Sequence, residues 1–73
     1  MSSVNSKIGN KLKELRTANG WTQQQVADLA HISRVNYTRY ETDVCNPDFD
    51  TLLVLADLFD ISLDELFDRK NFL

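Results

Sequence analysis

Apolar residues recur along the chain at helical spacing, and no segment alternates apolar and polar positions for long enough to predict a strand. Ile8, Leu12 and Leu15 follow the spacing i, i+4 and i+7, with Ala18 closing the stripe, which predicts a first helix. Four shorter stripes predict four more helices, and their inward residues are Val26, Ala27 and Ala30; Tyr37 and Tyr40; Leu52, Leu55, Ala56 and Phe59; and Leu63, Leu66 and Phe67. The pattern therefore predicts an all-α fold of five helices with short connections.

Capping residues mark where these helices begin and end. Thr22 and Gln25 have the spacing of a capping box at the start of the second helix. Ser62 and Glu65 repeat that spacing at the start of the fifth. Gly20 supplies the left-handed residue after the first helix. The predicted N-caps of the first, third and fourth helices are Ser6, Ser33 and Asp48.

Size and composition predict one small domain over residues 1–73. Of its 73 residues, 42% are hydrophobic and 26% charged, an ordinary globular composition. The longest apolar run, residues 52–56, is far too short for a membrane span, and the N-terminus lacks the apolar region of a secretion signal. One cysteine and one histidine cannot supply the four ligands of a structural metal site. We therefore expect no membrane, no metal and no cofactor.

The charge of the chain is unevenly distributed. A net charge of −3 by itself disfavours a nucleic-acid partner. Residues 1–42, however, carry six basic and three acidic side chains, whereas residues 43–73 carry two basic and eight acidic ones. Only the basic half is therefore suited to approach phosphate.

Residues 22–41 form two short predicted helices joined by a turn, an arrangement that can place its second helix in the DNA major groove. The residues of that helix that point away from the tyrosine stripe are predicted base contacts: Arg34, Val35, Asn36, Thr38 and Arg39. Arg34 and Arg39 have the fork geometry to pair with guanine O6 and N7. Asn36 could pair in the same way with adenine, and Val35 could pack on a thymine methyl. The alternative is a solvated helix face. The absence of an acidic residue on this helix before Glu41 argues against that alternative.

A longer pattern of segments runs through these twenty residues and beyond them on both sides. They are IGNKLKELR at residues 8–16, GWTQQQVA at 20–27, ISR at 32–34, YE at 40–41, NP at 46–47 and ISLDEL at 61–66. In order and spacing they resemble the Cro/repressor-type (XRE-like) helix-turn-helix family over residues 7–67, leaving a short N-terminal arm and a C-terminal tail. The resemblance implies a compact lambda-repressor-like fold with the helix-turn-helix at helices 2 and 3. It also implies a cytoplasmic regulator of prokaryotic or phage type, associated with the nucleoid when bound.

The resemblance assigns roles to several more residues. Arg16 and Glu41 occupy positions that form an ion pair between the first helix and the end of the third. Gln23 begins the second helix, where free backbone N–H groups suit a phosphate oxygen, and the resemblance implies that its amide also braces the start of the third helix. The complete set of predicted phosphate contacts is Gln23, Thr22, Lys11 and Lys7.

The chain departs from the family at its turns. Where the family usually has glycine, this sequence has His31, Asp43 and Asp60, residue types that tolerate positive φ, so we expect left-handed conformations there. Where the family often has Lys or Arg after the third helix, this chain has Val44 and Cys45. Fewer phosphate contacts predict weaker binding with a shallower salt dependence.

One small domain makes too few base contacts for useful specificity. A two-fold dimer with recognition helices about 34 Å apart would read a palindromic operator. The predicted dimer surface is more apolar than a monomer of this size needs and consists of Leu66, Phe67, Phe72 and Leu73. The alternative is that these residues complete the core of one chain.

Two functions follow from these features. The first is a sequence-specific transcriptional regulator of double-stranded DNA, a homodimeric repressor. The second is a protein-interaction module of the same fold, an antitoxin or adaptor, whose acidic C-terminal half binds a partner protein. We expect no enzyme, because the sequence offers neither a nucleophile–base pair nor a glycine-rich phosphate loop.

Overall fold

The computed structural model describes residues 8–67, the side chain of Phe67 excepted, and has the five predicted helices in this part of the chain. They are α1 (Gly9–Ala18), α2 (Gln23–Ala30), α3 (Arg34–Glu41), α4 (Phe49–Leu58) and α5 (Leu63–Phe67). No strand occurs within residues 8–67. The all-α prediction is confirmed.

The hydrophobic core lies where the inner faces of the five helices meet. The largest fully buried side chains are Tyr37, Leu12, Leu55, Leu66 and Val26. Ala27 and Ala30 are buried beside Val26, which confirms the predicted inner face of α2. The stripe predicted on α1 is wrong at its end, since Ala18 is exposed and Leu15 is the last side chain of α1 that packs against the core.

The helix ends follow the local chemistry of the sequence. Both capping boxes form: Gln25 N–H donates to Thr22 Oγ1 at 3.1 Å, and Glu65 N–H donates to Ser62 Oγ at 3.1 Å. The Ser33 and Asp48 side chains cap α3 and α4 as expected. The four predicted left-handed residues all have positive φ: Gly20 (73°), His31 (61°), Asp43 (61°) and Asp60 (59°). Each connection between successive helices therefore contains one left-handed residue, placed just after the end of a helix.

The start of α1 is held by a residue distant in sequence. Ser6 was predicted as its N-cap, but the helix begins at Gly9 with Ile8 in the cap position and without a side-chain cap bond of its own. Instead, the Gly9 N–H donates to Asp43 Oδ1 at 3.1 Å, so the turn after α3 caps α1. Gly9 also lies directly against the backbone of Glu41. The first turn of α1 therefore packs directly on the backbone at the end of α3.

Gly9→Ala tests this close approach. A Cβ at position 9 would overlap the Glu41 carbonyl oxygen and lie 2.7 Å from its carbonyl carbon, so backbone must move. We expect a loss of about 2–3 kcal/mol in the free energy of unfolding, measured by urea denaturation. Gly20→Ala is the matched control, since its Cβ would meet nothing within 4 Å and only the positive φ opposes it, at about 1 kcal/mol. Equal losses of unfolding free energy in the two variants would show that the contact with Glu41 does not determine the cost of Gly9→Ala.

Candidate nucleic-acid interface

The turn between α2 and α3 sets the angle at which α3 leaves the core. His31 adopts the left-handed conformation after α2, and its N–H donates to the carbonyls of Ala27 and Asp28. Ile32 N–H also donates to the Ala27 carbonyl at 2.9 Å. Ser33 then starts α3, its hydroxyl accepting from the Asn36 N–H at 3.1 Å. These bonds satisfy backbone groups at both helix ends, so the turn itself is fixed.

The outer face of α3 presents four of the five predicted base contacts to solvent. Tyr37 is fully buried and anchors the inner face of the helix. Arg34, Asn36 and Arg39 are exposed, and Val35 is 58% exposed. Two guanidinium groups, one carboxamide and one branched apolar side chain are thus exposed along α3, a set suited to the donor, acceptor and methyl pattern of a major groove.

A partly buried polar network joins α3 to α1 and α2. Glu41 is 7% exposed, and Arg16 of α1 approaches it with Nε at 2.6 Å from Oε2 and Nη2 at 3.3 Å from Oε1. Gln23 Nε2 donates to Glu41 Oε1 at 3.0 Å, and Thr38 Oγ1 donates to Gln23 Oε1 at 2.9 Å. The structure thus forms the ion pair that the resemblance implies and extends it through two more side chains. The expectation that Gln23 braces the start of α3 is wrong, because its partners Thr38 and Glu41 lie in the second half of the helix.

The network stabilises the ionised form of Glu41. Burial opposes the charge, but the hydrogen bonds from Arg16 and Gln23 outweigh it and hold the pKa of the Glu41 carboxyl below its ordinary value. Burial raises the pKa of the neighbouring Tyr37 phenol, and the Glu41 carboxylate raises it further. The tyrosine therefore stays neutral at pH 7 while the glutamate stays charged.

The predicted phosphate contacts are more scattered than the base contacts. Thr22 is exposed and caps α2, and Gln23 is half-buried with its carboxamide in the network. Lys11 is half-buried on α1, and Lys7 lies outside the described residues. In the loop after α3, Val44 and Cys45 are exposed, at the positions where the family often has a cation. A phosphate contact by Gln23, Thr22, Lys11 or Lys7 stays a prediction.

The predicted dimer surface is described only at Leu66. That side chain is 1% exposed and completes the core of its own chain, which was the alternative that the sequence left open. The side chain of Phe67 and the residues Phe72 and Leu73 lie outside the described part of the chain. A dimer interface at these positions stays a prediction.

Sequence reasoning missed an apolar groove between α4 and α5. Leu53 and Val54 are 43% and 42% exposed and line a groove of about 550 Å³ together with Ile61, Leu63 and Asp57. A signal for it was present, because five consecutive apolar residues at 52–56 cannot all face the core from one helix. The close approach of Gly9 to α3 and the cap from Asp43 had no such signal.

Residues 8–67 offer neither a metal site nor a membrane segment. No three of their His, Cys, Asp or Glu side chains are grouped so that they could hold a metal ion. None of the helices described has the length and apolar character needed to cross a bilayer.

Comparison with known proteins places these observations in a family. A helix-turn-helix family model matches residues 12–66. The HTH-type transcriptional regulator ImmR of Bacillus subtilis is 40% identical over 64 residues, which are 88% of this chain and 50% of that protein. The cryptic phage CTXphi transcriptional repressor RstR of Vibrio cholerae is 40% identical over 63 residues, 86% of this chain and 56% of the repressor. The chain thus spans about half the length of these two regulators.

A solved structure has the same fold. The restriction-modification controller protein C.AhdI of Aeromonas hydrophila superposes with a TM-score of 0.79 and 33% sequence identity, over 90% of this chain and 98% of the controller. The matched family model includes α2, α3 and the turn between them, where the exposed arginine face and its buried support lie. The chain therefore belongs to the helix-turn-helix family, which it shares with these bacterial and phage regulators of transcription.

Proposed function

We propose that the chain is a sequence-specific transcriptional regulator that reads double-stranded DNA with α3 in the major groove. The observation that carries this proposal is the outer face of α3, where Arg34 and Arg39 are exposed while Tyr37 anchors the back of the helix. Proteins similar to the chain include regulators and a repressor of transcription. We further infer a cytoplasmic location, on the nucleoid when bound, because these relatives come from bacteria and a bacterial phage.

Selection from a pool of randomised duplexes tests the proposal. We expect a defined consensus, with affinity that falls only moderately between 50 and about 200 mM salt, because Val44 and Cys45 replace cationic phosphate contacts after α3. Fluorescence anisotropy of the selected duplex at both salt concentrations gives the slope. Binding that is purely salt-dependent and yields no consensus would refute sequence-specific recognition.

We infer in addition that the regulator is a homodimer that represses from a palindromic operator. A single α3 offers few base contacts, and a two-fold axis doubles their number on successive major grooves. The surface proposed for this contact is α5 with Phe67 and the tail residues Phe72 and Leu73. The exposed Leu53 and Val54 lie along the groove between α4 and α5 and add apolar side chains beside the described part of α5.

Phe67→Asp and Leu53→Asp test the dimer. Each places a charge on the proposed apolar contact, and we expect sedimentation equilibrium to show a monomer where the unsubstituted chain is dimeric. Val44→Asp is the matched control, since Val44 is 69% exposed but lies in the loop after α3, and it should leave the dimer intact. An unchanged mass for both Phe67→Asp and Leu53→Asp would remove α4 and α5 from the interface.

A second candidate is a protein-interaction module, such as an antitoxin or adaptor. It is favoured by the same groove, in which Asp57 adjoins apolar side chains, and by the acidity of residues 43–73. The duplex selection separates the two functions, because an interaction module would yield no consensus.

A further inference from the structure

We propose that Thr38 is a positioning residue, which holds α3 in its reading orientation through Gln23 instead of contacting a base. The inference rests on the proposed function and concerns the one predicted base contact that is not exposed. Thr38 lies on α3 between Arg34 and Arg39, yet it is half-buried and its hydroxyl is engaged inside the protein.

The direction of each hydrogen bond in the network is fixed by chemistry. The Glu41 carboxylate, ionised and paired with Arg16, can only accept, so the nitrogen of the Gln23 carboxamide must face it. The carboxamide oxygen then faces Thr38 and accepts the single hydrogen of its hydroxyl. Because that hydrogen is already used, the hydroxyl cannot donate to guanine O6 or N7, adenine N7 or thymine O4 while this bond persists.

The same bond adds a second point at which α2 is joined to α3. With eight residues, α3 is too short to be stable alone, so its orientation depends on its contacts. Gln23 makes both of the side-chain hydrogen bonds that join α2 to α3 within residues 8–67. One reaches Glu41 at the end of α3 and the other reaches Thr38 one turn earlier. These two bonds hold α3 at two points on one face, in addition to the packing of Tyr37 and the ion pair between Arg16 and Glu41.

Thr38→Val and Thr38→Ser separate positioning from base contact. Valine keeps the shape without the hydroxyl, and serine restores the hydroxyl. We expect Thr38→Val to weaken binding of the selected duplex about 3- to 10-fold, the value of one hydrogen bond, and Thr38→Ser to bind nearly as the unsubstituted chain does. The loss should be equal for every single-base variant of the duplex. A loss confined to one base pair would overturn the proposal.

A double-mutant cycle with Gln23→Met identifies the route. If Thr38 acts through Gln23, Thr38→Val should have no further effect on duplex binding once Gln23 is methionine. The same non-additivity is expected in thermal unfolding, where Thr38→Val lowers Tm and Thr38→Ser does not. Full additivity in both measurements would overturn the proposal. Failure of the unsubstituted chain to select a consensus would instead refute the proposed function, and the unfolding cycle would still decide whether Thr38 positions α3.

Discussion

Arg16→Met is expected to lower the free energy of unfolding by about 4 kcal/mol at pH 7. The substitution leaves the Glu41 carboxylate, whose side chain is 3% exposed, without its counter-ion. Removing one partner of a buried ion pair costs about 3–5 kcal/mol, because the remaining charge stays desolvated. The Trp21 carbonyl also loses the hydrogen bond that it accepts from Arg16 Nη1 at 2.9 Å. Urea denaturation at constant ionic strength measures the loss.

The pH dependence of stability should reverse in this variant. In the unsubstituted chain the pKa of Glu41 lies below its ordinary value of 4.5, so its contribution is present above that value and is lost as pH falls through the lowered pKa. Without Arg16, burial dominates and we expect the pKa to rise. Glu41 then contributes fully below pH 4.5 and loses that contribution as pH rises through the raised pKa. As pH rises above about 4.5, the contribution of Glu41 to stability should therefore fall in the variant but not in the unsubstituted chain.

Two further variants make the test specific to the pair. Lys13→Met removes the same charge from an exposed position on α1, and we expect a change within about 0.5 kcal/mol and the original pH profile. Arg16→Met combined with Glu41→Gln removes the buried charge and keeps an oxygen for Gln23, so it should recover most of the lost stability. If Arg16→Met costs no more than Lys13→Met, the ion pair does not stabilise the fold.

The parts of the fold that the sequence predicts are those governed by local chemistry. Capping boxes and the inner face of α2 depend on residues within a few positions of one another, so spacing alone is enough to find them. The left-handed turns at His31, Asp43 and Asp60 are predicted by the family resemblance together with the residue types at those positions. The cap on α1 joins Gly9 to Asp43 across 34 positions, and no periodic signal connects them. The sequence predicts a cap from the nearby Ser6 because local spacing carries no information on a capping residue 34 positions away.

The candidate site divides in the same way. Helical periodicity correctly separates the buried Tyr37 from the exposed Arg34 and Arg39, because facing depends only on position along one helix. Thr38 shares that outward arc, but a partner on α2 occupies its hydroxyl, and periodicity cannot show which outward side chain has a tertiary partner. The sequence likewise predicts Leu66 as exposed apolar surface, because the packing of α5 against α1 and α4 depends on residues distant along the chain.

Arg34→Ala and Arg39→Ala are each expected to weaken binding of the selected duplex about 10- to 100-fold. A guanidinium that pairs bidentately with guanine contributes about 1–3 kcal/mol of discrimination, and alanine removes it entirely. Both side chains are exposed, so the free energy of unfolding should change by no more than about 0.5 kcal/mol. Fluorescence anisotropy with the duplex and its single-base variants should show each arginine variant losing preference at its own base pair.

Lys13→Ala is the matched control for these two variants, because it removes one exposed positive charge from α1, away from the reading face of α3. If Arg34 and Arg39 act only through long-range attraction to phosphate, all three variants should weaken binding by similar small factors and leave the consensus unchanged. Base contact predicts the opposite: a large, position-specific loss for the arginines and almost none for the lysine. Unchanged binding by both arginine variants would refute major-groove reading by α3, whatever the affinity of the chain for DNA.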